Sequence, residues 1–304
     1  MTRTLSIVIP ALNESQNLPR LMAGIPIAEL ALAGWDAEVV VVDNASTDGT
    51  GDVARSLGAR VVEQPVRGYG NAYFKGLSSA TGDVLVTGDA DLTYPFDALP
   101  ELLAAMDSED LEFITTDRLS PANRAAMKPS HTVANHFLST LNKVLFGCPF
   151  RDSQSGMWVL RREVWEGLDV RSGGMAFSQE IKNEAYFRGF SCKEIPIEYR
   201  ARGGQVKLNA FRDGVGNVAQ LFEHRWRLFR DGGPVRRGAV EVPTPRHPSA
   251  ADTTIALPPT ADLPVTTPVV AAGPVVAGNH HVVTLPQDLA RTDEPGISGG
   301  SVLA

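Results

Sequence analysis

Residues 84–95 read VLVTGDADLTYP, an apolar run that stops at Gly88 and delivers two carboxylates, Asp89 and Asp91, separated only by Ala90. Hard carboxylate oxygens at the mouth of a short buried strand are how an α/β protein holds Mg2+ or Mn2+ against a phosphate. The same residue types also serve turns, because Asp caps loops and a Tyr-Pro step follows at Tyr94 and Pro95. The segment alone does not choose between metal site and turn, so the choice rests on its surroundings.

Those surroundings are a succession of short β-branched runs and helical stretches. LSIVIP at 5–10 ends at a proline, and an amphipathic stretch spans 17–32. EVVVV at 38–42 runs into Asp43 and the turn-rich NASTDGTGD, which opens a helix near Asp52. A third strand is expected at 59–63, a helix at 70–80 and a fourth strand at 84–87. Strands of this length alternating with helices predict an α/β fold with a mostly parallel central sheet, buried on both faces by flanking helices. Ligands of such sheets gather at the carboxyl ends of the strands. Glu14 follows the first strand, Asp43 the second, and Asp89 and Asp91 the fourth, so one ligand is within reach of all of them and the turn reading loses ground. A dinucleotide-binding fold needs a glycine fingerprint after the first strand, and PALNESQNL contains no glycine. The GYG at 68–70 follows the third strand instead, and no Walker phosphate loop occurs. Any nucleotide is therefore expected to be held by side chains and a metal ion.

Composition sets the wider limits. The 304 residues are 43% hydrophobic, enough for a full core, but the pattern changes near residue 230. Residues 1–230 read as a catalytic domain, and 231–304, rich in Pro, Ala, Thr and Val, as a disordered tail that buries too little apolar surface to offset chain entropy. Its apolar run at 266–277 is broken by Pro268 and Pro274 and does not span a bilayer. A net charge of −7 argues against nucleic acid as a partner. Cys148 and Cys192 fit neither a disulfide framework nor a zinc spacing and read as reduced core thiols. No signal-peptide pattern precedes the first apolar run, which gives a cytoplasmic expectation.

The ordered segments VIPALNESQNL, VVVDNASTDGT, RGYGNAYFKGL, GDADLTYP, DRLS, DSQSGMWVLRREV, MAFSQEI and EIPIEYRARGGQVKLNAFRDG resemble the family 2 glycosyltransferases of GT-A fold. Within that family the resemblance is to the polyprenyl-phosphate sugar synthases such as dolichol-phosphate mannosyltransferase, and it covers residues 4 to about 215. It implies an inverting, metal-dependent transfer of a hexose, mannose or glucose, from a nucleotide diphosphate sugar (GDP-mannose or UDP-glucose) to a polyprenyl phosphate. It implies a divalent cation on Asp91 assisted by Asp89, contacts to base and ribose from Asp43 and Glu14, and a nucleotide-sugar pocket shaped by Pro10, Ala11, Asn13 and Ala90, with Arg118 facing the donor. It places acceptor-side carboxylates at Asp152 and Glu180. Either is a candidate general base for a hydroxyl acceptor, and turn-capping serves equally for Asp152.

The acceptor half centres on Arg200, Arg202 and Lys207 around Gly203-Gly204, a basic loop suited to a phosphate. The family's serine before the lysine is Val206 here. A phosphate acceptor, already ionised at neutral pH, needs such positive charge and no base. Two apolar stripes at helical spacing, Val133 to Leu145 and Val218 to Phe229, fit helices packed on the core, and the second, bordered by Arg225, Arg227 and Arg230, also fits an interfacial helix. Peripheral contact with the inner membrane face, and a separate membrane-protein partner, are the corresponding expectations. A soluble hydroxyl acceptor and a non-catalytic nucleotide-sugar-binding module are the rival readings.

Overall fold

Two β-branched runs, β1 (Arg3–Ala11) and β2 (Trp35–Asp43), pair in parallel from Arg3↔Trp35 to Ala11↔Asp43, so they end level and their loops leave side by side. The computed structural model describes residues 3–123, 126–127, 129–203 and 210–230, all within one compact unit. The remaining strands are β3 (Arg60–Glu63), β4 (Val84–Thr87), β5 (Phe113–Asp117), β6 (Trp158–Arg161) and β7 (Cys192–Pro196). The sheet order is β3-β2-β1-β4-β6-β5-β7. The sheet is mostly parallel, as the sequence predicts, but β6 runs antiparallel to both β4 and β5.

That reversed strand matters for function. With Val86 opposite Val159, β6 starts where β4 ends, so the DSQSGM loop feeding β6 is delivered to the same sheet edge as GDADL. β7 pairs in parallel with β5 from Phe113↔Cys192 to Asp117↔Pro196, and its outgoing segment emerges there too.

Side-chain alternation divides the core between the two faces. Leu5, Ile7 and Ile9 pack with Leu18, Leu30 and Leu102 from α1 (Leu18–Ala23), α2 (Ile27–Leu32) and α5 (Leu99–Ser108). Val8, Val40 and Leu85 pack with Tyr73, Val164 and Phe177 from α4 (Tyr69–Ser79), α7 (Arg162–Gly167) and α8 (Phe177–Phe187). The amphipathic stretch expected over 17–32 is two helices, because Pro26 forfeits a backbone donor and disfavours helical geometry at Ile25. The helix near Asp52 is α3 (Thr50–Ser56).

A third apolar cluster joins α6 (Pro129–Phe146) to α9 (Ala210–Arg230) through Phe146, Cys148, Phe150, Leu221 and Leu228. On α9, Asn217, Leu221, His224 and Leu228 face inward, whereas Val215, Phe222, Trp226 and Phe229 lie on the opposite side and are exposed. The apolar stripe read from 218–229 is therefore shared between two faces of the helix. Lys207 and the tail at 231–304 lie outside the described residues.

Candidate active site

The loops after β1 and β2 brace each other. Asn13 Oδ1 accepts the Thr47 N–H at 2.8 Å, Glu14 N–H donates to Thr50 Oγ1 at 2.9 Å, and Asp43 Oδ1 accepts the Ser46 N–H at 2.9 Å. Pro10 and Ala11 close β1 beneath them. Asn13, Ala45 and Leu92 adopt positive φ of 52°, 59° and 69° in the loops following β1, β2 and β4. Non-glycine residues held there cost about 1–3 kcal/mol each and persist where surrounding contacts over-determine them, a pattern concentrated at ligand sites.

Asp91 is 4% exposed, and its carboxylate is held on both oxygens. Oδ1 accepts the Thr93 N–H at 3.1 Å and the Thr93 hydroxyl at 2.5 Å, while Oδ2 meets the Arg202 guanidinium at 2.8 Å. Backbone bonds from Gly203 N–H to Asp91 O and from Arg200 N–H to Thr93 O, 2.8 and 2.9 Å, stitch the segment after β7 to the Asp-x-Asp loop. Residues more than a hundred positions apart in sequence thus share one cluster.

Asp89 takes the Tyr73 phenol on Oδ1 at 2.8 Å. Burial and the neighbouring Asp91 carboxylate push the Asp89 carboxyl up to about 7. Two adjacent carboxylates in a place where the chain itself has put a guanidinium make a donor set that fits a hard divalent cation, with the remaining ligands left to phosphate and water. Among the described residues no group of three or more His, Cys, Asp or Glu side chains forms a self-sufficient metal site.

Asp152 is fully buried and binds Arg118 in a fork, Nε to Oδ2 at 2.7 Å and Nη2 to Oδ1 at 3.0 Å. Lys182, also fully buried, donates to the Asp152 carbonyl at 2.7 Å. Burial raises the Asp152 carboxyl, but the Arg118 guanidinium outweighs it and holds the group below the usual carboxylate range. Arg118 also lies over the Tyr199 ring at 5.3 Å. Glu180 accepts Arg227 at 2.6 Å and the N–H groups of Arg171 and Ser172 at 3.2 and 2.8 Å. Arg200 is engaged by both oxygens of Asp97, each at 2.8 Å, and by Glu198. Of the basic acceptor residues, the structure thus brings Arg202 to the Asp-x-Asp carboxylates and commits Arg200 elsewhere.

Sequence reasoning missed the phenols. Tyr94 Oη accepts the Gly156 N–H at 2.7 Å, Thr87 Oγ1 donates to Gly156 O at 2.9 Å, and a Cβ at Gly156 would stand 2.2 Å from Tyr69 Oη. The signal was present as YGNAY and DLTY, but a Tyr-Pro step reads as a turn, and nothing local shows where the phenols of YGNAY will point.

Residues 6–168 match the glycosyl transferase family 2 profile. The chain belongs to glycosyl transferase family 2. It is 32% identical over 228 residues to the dolichyl-phosphate hexose transferase of Haloferax volcanii, covering 74% of this chain and 96% of that protein. It is 31% identical to the polyprenol monophosphomannose synthase of Mycolicibacterium smegmatis, covering 77% and 92%. Against the Haloferax volcanii low-salt glycan biosynthesis hexosyltransferase Agl6 the identity is 38%, over 71% of this chain and only 52% of that longer relative. Among solved structures, glucosyl-3-phosphoglycerate synthase from Mycobacterium tuberculosis with Mg2+ and uridine diphosphate superposes with a TM-score of 0.57 at 25% identity, covering 77% of this chain and 81% of that one. The GT-A-like architecture of this glycosyltransferase is thereby placed among known folds.

Proposed function

We propose that this family 2 glycosyltransferase moves a hexose from a nucleotide diphosphate sugar to the phosphate of a polyprenyl lipid, with inversion, and that residues 1–230 form the catalytic domain. The observation that carries the reading is that both acceptor-side carboxylates are engaged in ion pairs, Asp152 with Arg118 and Glu180 with Arg227. A hydroxyl acceptor needs a base to take its proton, whereas a phosphomonoester, with a second pKa near about 6, is already largely a dianion at neutral pH. Asp152 then serves by positioning Arg118. The names of the Haloferax volcanii and Mycolicibacterium smegmatis relatives support the same acceptor class.

Asp89 and Asp91 would hold a divalent ion, Mg2+ or Mn2+, whose chemistry when bound is to neutralise the leaving diphosphate. Arg202, paired with Asp91, supplies fixed positive charge where donor and acceptor phosphates approach, and Lys207 of the same segment belongs to this role. Asp43 and Glu14, at the ends of the first two strands, are assigned to base and ribose. The fold neighbour's complex with phosphoglyceric acid, at 26% identity, keeps a soluble acceptor as the second reading. Membrane fractions given labelled GDP-mannose or UDP-glucose should yield an organic-extractable, mild-acid-labile product; label confined to the aqueous phase would overturn the lipid acceptor.

Ion binding requires the ionised carboxylate. Since Asp89 titrates at about 7, it is mostly neutral below that pH and charged above it. Mn2+ affinity should therefore climb between about pH 6 and about pH 8 and then level off; a flat profile over that window would contradict the assignment.

Among the described residues no helix is long and apolar enough to cross a membrane. The outward face of α9, with Phe222, Trp226 and Phe229 beside Arg225, carries the pattern of a helix lying in the membrane interface. Joint replacement of Trp226→Glu and Phe229→Glu is expected to weaken binding to anionic vesicles by at least about tenfold without lowering thermal stability, since these side chains are already solvent-exposed. Unchanged vesicle binding would remove this face as the contact.

A further inference from the structure

Tyr73 is fully buried in the middle of α4, and its hydroxyl reaches two acceptors, Asp89 Oδ1 at 2.8 Å and Gly156 O at 3.3 Å. A phenol has one proton to give. Asp89 Oδ1 is the nearer acceptor by half an ångström, 2.8 against 3.3 Å, and belongs to a carboxyl group, so the Tyr73 proton goes to Asp89 while Gly156 O keeps the Thr87 hydroxyl at 2.9 Å. The ring has no room to swing. It packs on Trp158, Phe177 and Tyr69 with centroids at 5.1, 5.9 and 4.8 Å. The helix itself is seated hard against the sheet, because a Cβ at Gly76 would come within 2.4 Å of Val8 and 2.7 Å of Val42. Helix, sheet and aromatic cluster thus converge to hold one oxygen in place.

From this geometry we infer that Tyr73 is a positioning residue for Asp89: by fixing Oδ1, it orients the carboxylate and leaves Oδ2, which takes no hydrogen bond among the described residues, for the cation. The inference rests on the metal reading of the Asp-x-Asp pair and adds to it a residue from RGYGNAYFKGL. Partners one step removed from a metal commonly set its affinity by 10–100-fold, because they fix the orientation and basicity of the ligand. Tyr73→Phe keeps the ring packing and leaves Gly156 O with its Thr87 partner, so the fold should be retained.

The test is direct Mn2+ titration of the full chain, with free Mn2+ followed by electron paramagnetic resonance and thermal midpoints recorded alongside. Tyr73→Phe should weaken Mn2+ binding by about 10–100-fold, while metal-free binding of nucleoside diphosphate stays unchanged. Tyr186→Phe, which removes a phenol packed in the separate cluster of Phe150 and Phe187, should bind Mn2+ as the wild type does. In an Asp89→Asn background the Tyr73→Phe change should cost nothing further, because the two act as one unit. An undiminished affinity in Tyr73→Phe, or an equal loss in both backgrounds, overturns the inference while leaving the metal reading standing. Absence of saturable Mn2+ binding in the wild type removes the metal reading, and the inference falls with it.

Discussion

Asp91→Ala is expected to lower turnover by roughly 10³-fold, about 4 kcal/mol of transition-state stabilisation, with only a modest loss of thermal stability. The two consequences separate because of what Asp91 touches. Its Thr93 partner is buried and loses the acceptor of its N–H and hydroxyl, while its Arg202 partner, 29% exposed at the side chain, reaches water once released. The loss at Thr93 is an unpaired buried donor, about 1–3 kcal/mol, and the release of Arg202 adds little to it. What is lost is the carboxylate that, paired with Asp89, would hold the ion against the departing diphosphate. Calorimetric titration with nucleoside diphosphate, with and without Mg2+, should show that the metal no longer strengthens binding. Near-normal turnover in this variant would dismantle the proposed centre, and a collapse in thermal midpoint would make Asp91 a structural residue.

Asp152→Ala should do the opposite, damaging the fold as much as the chemistry. Asp152 is fully buried and neutralises a guanidinium that is itself buried, so truncation leaves Arg118 without its counter-charge. Breaking one side of a buried ion pair costs about 3–5 kcal/mol. A second substitution distinguishes structure from function. Replacing both partners, Asp152→Leu with Arg118→Met, removes the unpaired guanidinium and should recover part of that stability, the backbone N–H groups of residues 118 and 154 still lacking the carboxylate. Activity should stay lost, because Arg118 is the member proposed to face the donor. Restored turnover in the double variant would show that Arg118 serves only the fold. The wild-type pair also has a pH signature. The Asp152 carboxyl is held below its ordinary range, so its contribution to stability is present above the unfolded-state value and is lost as pH falls through the folded one. Denaturant midpoints should therefore decline on acidification less steeply in the double variant than in the wild type.

How much of this was legible in the sequence depends on the range of the interaction. The strand runs, the absence of a glycine fingerprint and the acidic residues ending the first, second and fourth strands are local, and each survives in the structure. The direction of β6 is not local. WVLR is apolar whichever way it runs, and only its seat between β4 and β5 makes it antiparallel, which delivers Gly156 and Asp152 to the site. Helix α8 is the sharper case. FSQEIKNEAYF carries charges and amides that composition would send to solvent, yet Gln179, Glu180, Lys182, Asn183 and Glu184 are all buried. They are tolerated because partners come from elsewhere: Arg227 and His224 on α9, Asn142 on α6 and the Asp152 carbonyl. Periodicity reports that a residue is polar, not that a counter-charge will be brought to it.

The sequence by itself determined that the chain is an α/β protein, that carboxylates gather where the strands end, and that a basic loop follows late in the chain. Those properties follow from backbone propensity, burial patterning and residue chemistry, which act over a few positions. Only the tertiary structure decided which charges are available. It committed Asp152 to Arg118, Glu180 to Arg227 and Arg200 to Asp97, brought Arg202 to Asp91, and set a buried phenol against Asp89. Whether a carboxylate can act as a base, a ligand or a strut depends on the partner that desolvation forces upon it, and that partner is assigned by folding.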